Sequence, residues 1–335
     1  MDVDRARLAV RHAVREGLAD LDADALVLVG CSGGPDSLAL ARAVATERPR
    51  AGAIIIDHGL QPGSADVAAG AAAQCRDLGL DPVEVMEVSA AAEPGAGGPE
   101  AVARDARRSA LLEAAQRLGA GAILLAHTRD DQAETVLLRL ARGSGARSLS
   151  AMAPIVGVWR RPLLGLDRAT VQASVGDLAA WSDPHNADPR FARVRVRRDA
   201  LPALTEALGP GVIDGLARSA ELLRDDADAL DALADELLRE CRITEPDPGS
   251  ALSLDIGLLA AAPRAVRTRV LRRAAIESGA IAAALTRDHV TSVEALISDW
   301  HGQGPVDLPG ALRASRRCGR LHLDRSEPLG SHPRA

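Results

Sequence analysis

The sequence contains no lysine, so all 40 of its basic residues are arginine. Tyrosine is also absent, and the aromatic set is one Phe and three Trp in 335 residues. A core must therefore be built from Leu, Val, Ile and Ala, for which an apolar fraction of 47% is ample. Ligand recognition by rows of stacked aromatics, or by lysine ammonium groups, is excluded as a main device. The four cysteines, at 31, 75, 241 and 318, have no short pair spacing, which argues against a zinc knuckle or a C-x-x-C redox site. No apolar run approaches the ~18–20 residues needed to span a bilayer. The charged start Met1-Asp-Val-Asp-Arg5 shows no leader pattern. A soluble, cytoplasmic protein with no membrane partner is expected. The formal net charge of −6 gives no general attraction to nucleic acid, so any such binding must come from local arginine patches. Alanine fills about a fifth of the chain, which with the missing lysine reads as coding bias rather than function.

What is present is strongly patterned. Short apolar runs at 25–30, 53–56, 82–88 and 122–126 alternate with helix-like stretches at 36–47, 64–79 and 99–118. Strands separated by helices of that length predict βαβ units, hence a doubly wound, mainly parallel α/β sheet. A Gly/Pro-rich stretch at 93–99 reads as a mobile loop. From residue 212 a heptad-like seam (Ile213, Leu216, Ala220, Leu223, Ala227, Leu230, Ala234, Leu237) predicts one long helix. Its outer faces carry Asp225, Asp226, Asp228, Asp231 and Asp235, expected to be solvated. The expected organisation is a catalytic domain over 1–210, a linker helix and linker over 211–249 and a smaller, mainly helical domain over 250–326. A disordered tail is expected over 327–335. In the small domain arginine outnumbers acid, so the sign of charge flips along the chain.

Two segments carry chemistry. Ser32-Gly33-Gly34-Pro35-Asp36-Ser37 follows the first strand and opens a helix. Glycines that let backbone approach a ligand, hydroxyl donors and a helix N-terminus together make a pyrophosphate cradle. The loop is neither a Walker A sequence nor a G-x-G-x-x-G fingerprint. His127-Thr-Arg-Asp-Asp-Gln-Ala-Glu-Thr135 follows the fourth strand, where open α/β sheets bind ligands. Thr128 or Asp130 can cap the next helix, and Asp131 and Glu134 share one of its faces. Such a pair suits Mg2+ or a substrate ammonium. Asp57 and His58, at the end of the second strand, lie on the same edge, with a capping or packing role equally open. Arg142-Gly-Ser-Gly145 is a flexible, donor-rich turn. Arg193, Arg195, Arg197 and Arg198 form a dense cluster suited to phosphate. A solvated helix face is the alternative for that cluster.

In this order, the segments resemble the tRNA(Ile)-lysidine synthase family of the N-type ATP pyrophosphatase (PP-loop) group. The resemblance rests on residues 32–37, Ile56-Asp-His-Gly59, Glu100-Ala-Val-Ala-Arg-Asp-Ala-Arg107, 127–135, 142–145 and Asp183-Pro-His-Asn-Ala-Asp188. A weaker likeness covers 255–320, including Trp300-His-Gly-Gln-Gly304. It implies a ligase joining L-lysine to C2 of the wobble cytidine of a CAU-anticodon tRNA(Ile) through an adenylated cytidine, with ATP converted to AMP and pyrophosphate. It also implies a catalytic set of Asp36, Arg107, His127, Asp131 and Glu134. Ser32, Gly33, Gly34, Pro35, Asp36, Ser37, Asp57, Arg142 and Gly143 would bind ATP. Mg2+ would sit at Asp36 and Asp130, and tRNA on Arg193, Arg195, Arg197 and Arg198. A homodimer is left open. Where the family commonly has an aromatic after the arginine matching Arg107, this chain has Arg108 and Ser109. The rival readings are a tRNA 2-thiocytidine-type thiolase on the same fold, which would lean on paired cysteines, and a non-catalytic ATP-binding regulatory module.

Overall fold

Apolar runs in the first half become the strands of one sheet. β1 (Val27–Cys31) is buried along its whole length and β2 (Ala51–Asp57) almost so, as expected of strands covered on both faces. β3 (Val83–Glu87), β4 (Ala122–Leu124), β5 (Ile155–Val156) and β6 (Trp159–Arg160) complete the order β3-β2-β1-β4-β6-β5. Every pairing is parallel except that of β5 with β6. The register sets Val29 of β1 between Ala53 of β2 and Leu124 of β4.

Five helices position the site: α1 (Val3–Gly17), α2 (Pro35–Glu47), α3 (Ser64–Asp77), α4 (Pro99–Leu118) and α5 (Arg129–Leu140). Alternation along β1 separates two cores. Val27, Val29 and Cys31 pack with Val10, Val14, Leu38, Ala71 and Cys75, whereas Leu28 joins Ile54, Leu111, Ile123 and Trp159. The chain runs from β1 outward to β2 and β3, then crosses back to β4 on the other side of β1. That reversal is a topological switch point, and the carboxyl ends of β1 and β4 flank its crevice.

This computed structural model describes residues 2–57, 59, 63–88, 99–244 and 250–325. His58, residues 93–98 of the expected loop, the linker at 246–249 and the tail over 327–335 lie outside the described residues. Contacts divide the chain into Met1–Arg224 and Asp225–Ala335, a division that falls inside the long helix Val212–Cys241. Among the described residues no helix is long and apolar enough to cross a membrane.

The second unit carries the expected helices, Ile256–Ala261, Arg264–Glu277 and Arg287–Ser298, beside a small sheet. It contains an antiparallel sheet of β7 (Ser250–Asp255), β8 (Val306–Leu308), β9 (Leu312–Arg317) and β10 (Arg320–Arg325) in the order β7-β10-β9-β8. In β9, buried Leu312 and Ala314 alternate with exposed Arg313, so arginine masks a strand period. The acidic face of the long helix is also not simply solvated. Asp231 binds Arg269 at 2.9 Å and Asp235 binds Arg273 at 2.7 Å, while Ala234, Leu238 and Cys241 enter the unit's core.

Gly52 illustrates how closely the first sheet is built. A Cβ there would stand 2.5 Å from the Pro82 carbonyl oxygen and 2.9 Å from Leu28 Cδ2. Gly52→Ala is expected to cost about 3 kcal/mol, because backbone at the β2–β3 edge must move to admit one methyl group. A lowered denaturation midpoint would show it; an unchanged midpoint would mean that the edge yields freely.

Candidate active site

The loop after β1 closes on itself. Ser37 Oγ accepts from the Ser32 backbone N–H at 3.1 Å and donates to the Gly34 carbonyl at 2.9 Å. Gly34 caps α2, and Pro35 occupies the first turn without wasting a donor. Gly33 has φ +76°, and an added Cβ would lie 3.1 Å from Ala71 of α3. Glycine is needed there for conformation and for space. The Trp181 N–H donates to the Gly33 carbonyl at 2.9 Å, tying the loop to the segment that contains Asp183. The first N–H groups of α2 are thus left facing outward at the positive end of a helix, an anion site by construction.

Beside the loop is a cavity of about 350 Å³, lined by Cys31, Ser32, Ile54, Asp57, Ser64, Val67, Arg107 and Trp181 among others. Its apolar walls and its cation suit a nucleotide base and phosphates. Burial lowers the Arg107 guanidinium from its ordinary value, and neighbouring Arg104 adds to the effect. Asp57 closes β2 and accepts from the Gly59 N–H at 2.9 Å. Burial raises Asp36 to about 6, against the pull of Arg168, whose Nε lies 3.9 Å from Oδ2. Its Oδ1 is buried with no hydrogen-bond partner among the described residues. Cys31 and Cys75, distant in sequence, share a hydrogen bond that brings the Cys31 thiol down to about 7 despite burial. Arg108 stacks on Trp159 with its guanidinium 4.7 Å from the ring centre.

The second half of the site starts α5. Asp131 Oδ2 accepts from the Thr128 N–H at 2.7 Å and the Thr128 hydroxyl at 2.9 Å, so the predicted helix start is a capping box. Its Oδ1 receives Arg168 at 2.8 Å and Arg193 at 3.0 Å. Glu134, fully buried, receives Arg168 at 3.0 Å, Arg193 at 2.7 Å and Arg197 at 2.7 Å. Burial pushes both carboxyls up, but these guanidinium groups outweigh it and hold both below their ordinary values. His127, three residues beyond β4, is driven down to about 3 by burial and is therefore neutral, and its Nδ1 has no hydrogen-bond partner among the described residues.

Asp36, Asp131, Glu134, Arg193 and Arg197 are thus joined in one charged network. Ser32, Asp57 and Arg107 line the cavity beside the loop, and other expected residues are placed away from it. Arg195 and Arg198 are exposed and donate to the carbonyls of Pro189 and Ala187. Arg142 and Gly143 follow the far end of α5 and do not line the cavity beside the loop. Asp130 spends Oδ2 on the Arg168 N–H at 2.8 Å. Among the described residues no group of three or more His, Cys, Asp or Glu is arranged to hold a metal ion.

Sequence reasoning missed Arg168, which touches Asp131, Glu134 and Asp36. It was detectable. Asp167 caps the short helix Arg168–Ala173, and a cation in a first helical turn opposes the helix dipole. An arginine held there implies carboxylates that receive it.

Comparison with known proteins agrees with this geometry. The PP-loop domain family matches residues 7–204, and the TilS substrate binding domain family matches 254–322. The fold is shared with the U34-tRNA thiolase NcsA from Methanococcus maripaludis, with a TM-score of 0.54 and 20% identity over 66% of this chain and 80% of that one. A self-closed loop after β1 at the switch point of such a sheet defines a PP-loop protein. Within that class, the chain is 54% identical to the tRNA(Ile)-lysidine synthase of Thermobifida fusca, covering 93% of this chain and 95% of that protein. It is 45% identical to the enzyme of the same name from Mycobacterium tuberculosis, covering 98% and 100%. The chain belongs to the tRNA(Ile)-lysidine synthase family.

Proposed function

We propose that this protein joins the ε-amine of L-lysine to C2 of the wobble cytidine in a CAU-anticodon tRNA(Ile), consuming ATP to AMP and pyrophosphate. The observation that supports this most is the meeting of a pyrophosphate cradle with a paired-carboxylate helix start across one sheet crevice. In the first step cytidine O2 attacks the α-phosphate and pyrophosphate leaves toward residues 32–37. In the second the amine attacks C2 and AMP leaves. The α2 N-terminus stabilises the developing negative charge, and Arg107 beside the cavity adds a fixed cation. Mg2+ fits Asp36, whose Oδ1 is a buried oxygen without a hydrogen-bond partner, and when bound would neutralise phosphate charge. Asp130 fits it less well, being engaged by the Arg168 N–H.

Lysine would sit in a second cavity of about 450 Å³, lined by Asp130, Glu134, Glu206, Arg168, Arg197 and the apolar Leu201, Pro202 and Ile213. Acids there suit an ammonium, arginines an α-carboxylate and apolar walls the aliphatic stem. His127 is neutral at working pH and serves as a hydrogen-bonding group rather than a cation. Sulfur transfer is not favoured, since the relatives carry the synthase name and Cys241 and Cys318 belong to the second unit.

For tRNA, Arg195 and Arg198 are the exposed members of the cluster and offer themselves to phosphate. Arg195→Gln with Arg198→Gln should weaken tRNA binding and flatten its salt dependence by about one unit of log–log slope per lost contact. Unchanged binding would reassign both to holding the 187–190 loop. The reading as a whole is tested by pyrophosphate release over many turnovers: with tRNA in excess, sustained release should require lysine and a CAU-anticodon tRNA(Ile) together. Sustained release that is indifferent to lysine would contradict it.

A further inference from the structure

We propose that Arg168 is a positioning residue that sets the spacing of Asp131 and Glu134 and so fixes the grip on the incoming amino acid. The inference rests on the lysine reading above. Asp131 and Glu134 stand one helical turn apart with like charge, and a pair of that kind splays unless a cation bridges it. Arg168 bridges it with one planar fork, Nη2 to Asp131 at 2.8 Å and Nη1 to Glu134 at 3.0 Å.

Arg193 and Arg197 reach the same two carboxylates but differ in how they are held. Their side chains are 28% and 31% exposed, against 15% for Arg168. Arg197 lies in a π-helical turn, Val196–Ala200, and Arg193 in the short helix before it. Turns of that type are rare and occur frequently at functional sites. Arg168 is pinned at its backbone, since its N–H donates to Asp130 at 2.8 Å directly after the Asp167 cap. The three guanidinium groups already fill the inward oxygens of Asp131 and Glu134. A substrate ammonium must therefore displace part of the network. The outer arginines are the ones free to yield, and Arg168 stays as the strut that keeps both carboxylates aimed at the same point. A lysine in its place would keep the charge but lose the two-pronged fork.

The test compares Arg168→Gln and Arg168→Lys with the wild-type protein, each assayed for pyrophosphate release with ATP, L-lysine and a CAU-anticodon tRNA(Ile), alongside thermal unfolding. Arg168→Gln should raise the lysine KM by about tenfold or more with the ATP KM within about threefold, and Arg168→Lys should fall between it and the wild type. A lysine KM that stays within about threefold in Arg168→Gln overturns the proposal. So does a fall in kcat and Tm with both KM values rising in parallel and no rescue in Arg168→Lys, which would mark a purely structural residue. If Arg168→Gln does not fold, Arg168→Lys at wild-type Tm decides, and an unchanged lysine KM counts against the strut. A wild-type protein that shows no lysine requirement instead removes the functional reading itself.

Discussion

Glu134→Gln is expected to destabilise the protein by about 3 kcal/mol and to abolish amino-acid transfer. Glu134 is fully buried and receives Arg168, Arg193 and Arg197. Removing its charge leaves three guanidinium groups sharing Asp131, with the more distant Asp36 facing Arg168 only, and breaking one partner of a buried network costs more than the intact network contributes. The pH dependence follows in sign. Both carboxyls are held below their ordinary values of 3.8 and 4.5, so the unfolded chain binds protons there before the folded protein does. Their stabilisation is complete above that range and is lost as pH falls through the lower folded values. Wild-type stability should therefore drop with acid below about pH 4, and less steeply in Glu134→Gln. Denaturant titration across pH measures both effects; a variant as stable as the wild type, with the same acid slope, would show the network to be energetically idle.

Asp36→Asn should separate function from stability. Burial raises this carboxyl to about 6, so between the ordinary 3.8 and that value the folded state binds the proton that the unfolded state releases. The contribution of Asp36 to stability thus falls as pH rises through that window, and an uncharged amide should be as stable as aspartate, or more stable, at neutral pH. Catalysis runs the other way. The carboxylate is needed at the loop, so ATP-dependent pyrophosphate release should fall about 100-fold in Asp36→Asn at neutral pH. Measuring turnover and denaturation midpoint on one preparation tests the pairing. A variant that loses both together would make Asp36 a structural residue.

The fold of the first unit was legible because its central strands β1, β2 and β4 are buried on both faces and so appear as unbroken apolar runs. β1 and β2 came from such runs, and the chemistry-bearing loops followed from where those runs end. β5 and β6, two residues each, carry no period to read, and arginine hid the alternation of β9. In the site, Ser32–Ser37 and His127–Thr135 were found because each is local in sequence. What escaped was the long-range part. Arg193 and Arg197 look like a surface cluster until the fold turns them onto Asp131 and Glu134, and only the tertiary structure shows Arg195 and Arg198 left outside. Arg168 stood alone in sequence, with a helix cap as its one signal. With no lysine in the chain, every fixed cation in the site is a guanidinium, so the same forks can bind carboxylates at rest and phosphates in a complex.

The central claim is tested most directly by mass analysis of the wobble nucleoside after a CAU-anticodon tRNA(Ile) is incubated with the protein, ATP, Mg2+ and isotopically labelled lysine. The expected product has the mass of lysidine carrying the label at that cytidine, with one AMP formed per modified tRNA. An unmodified cytidine in the presence of active protein, or a cytidine that gains sulfur when a sulfur donor is supplied, would contradict it.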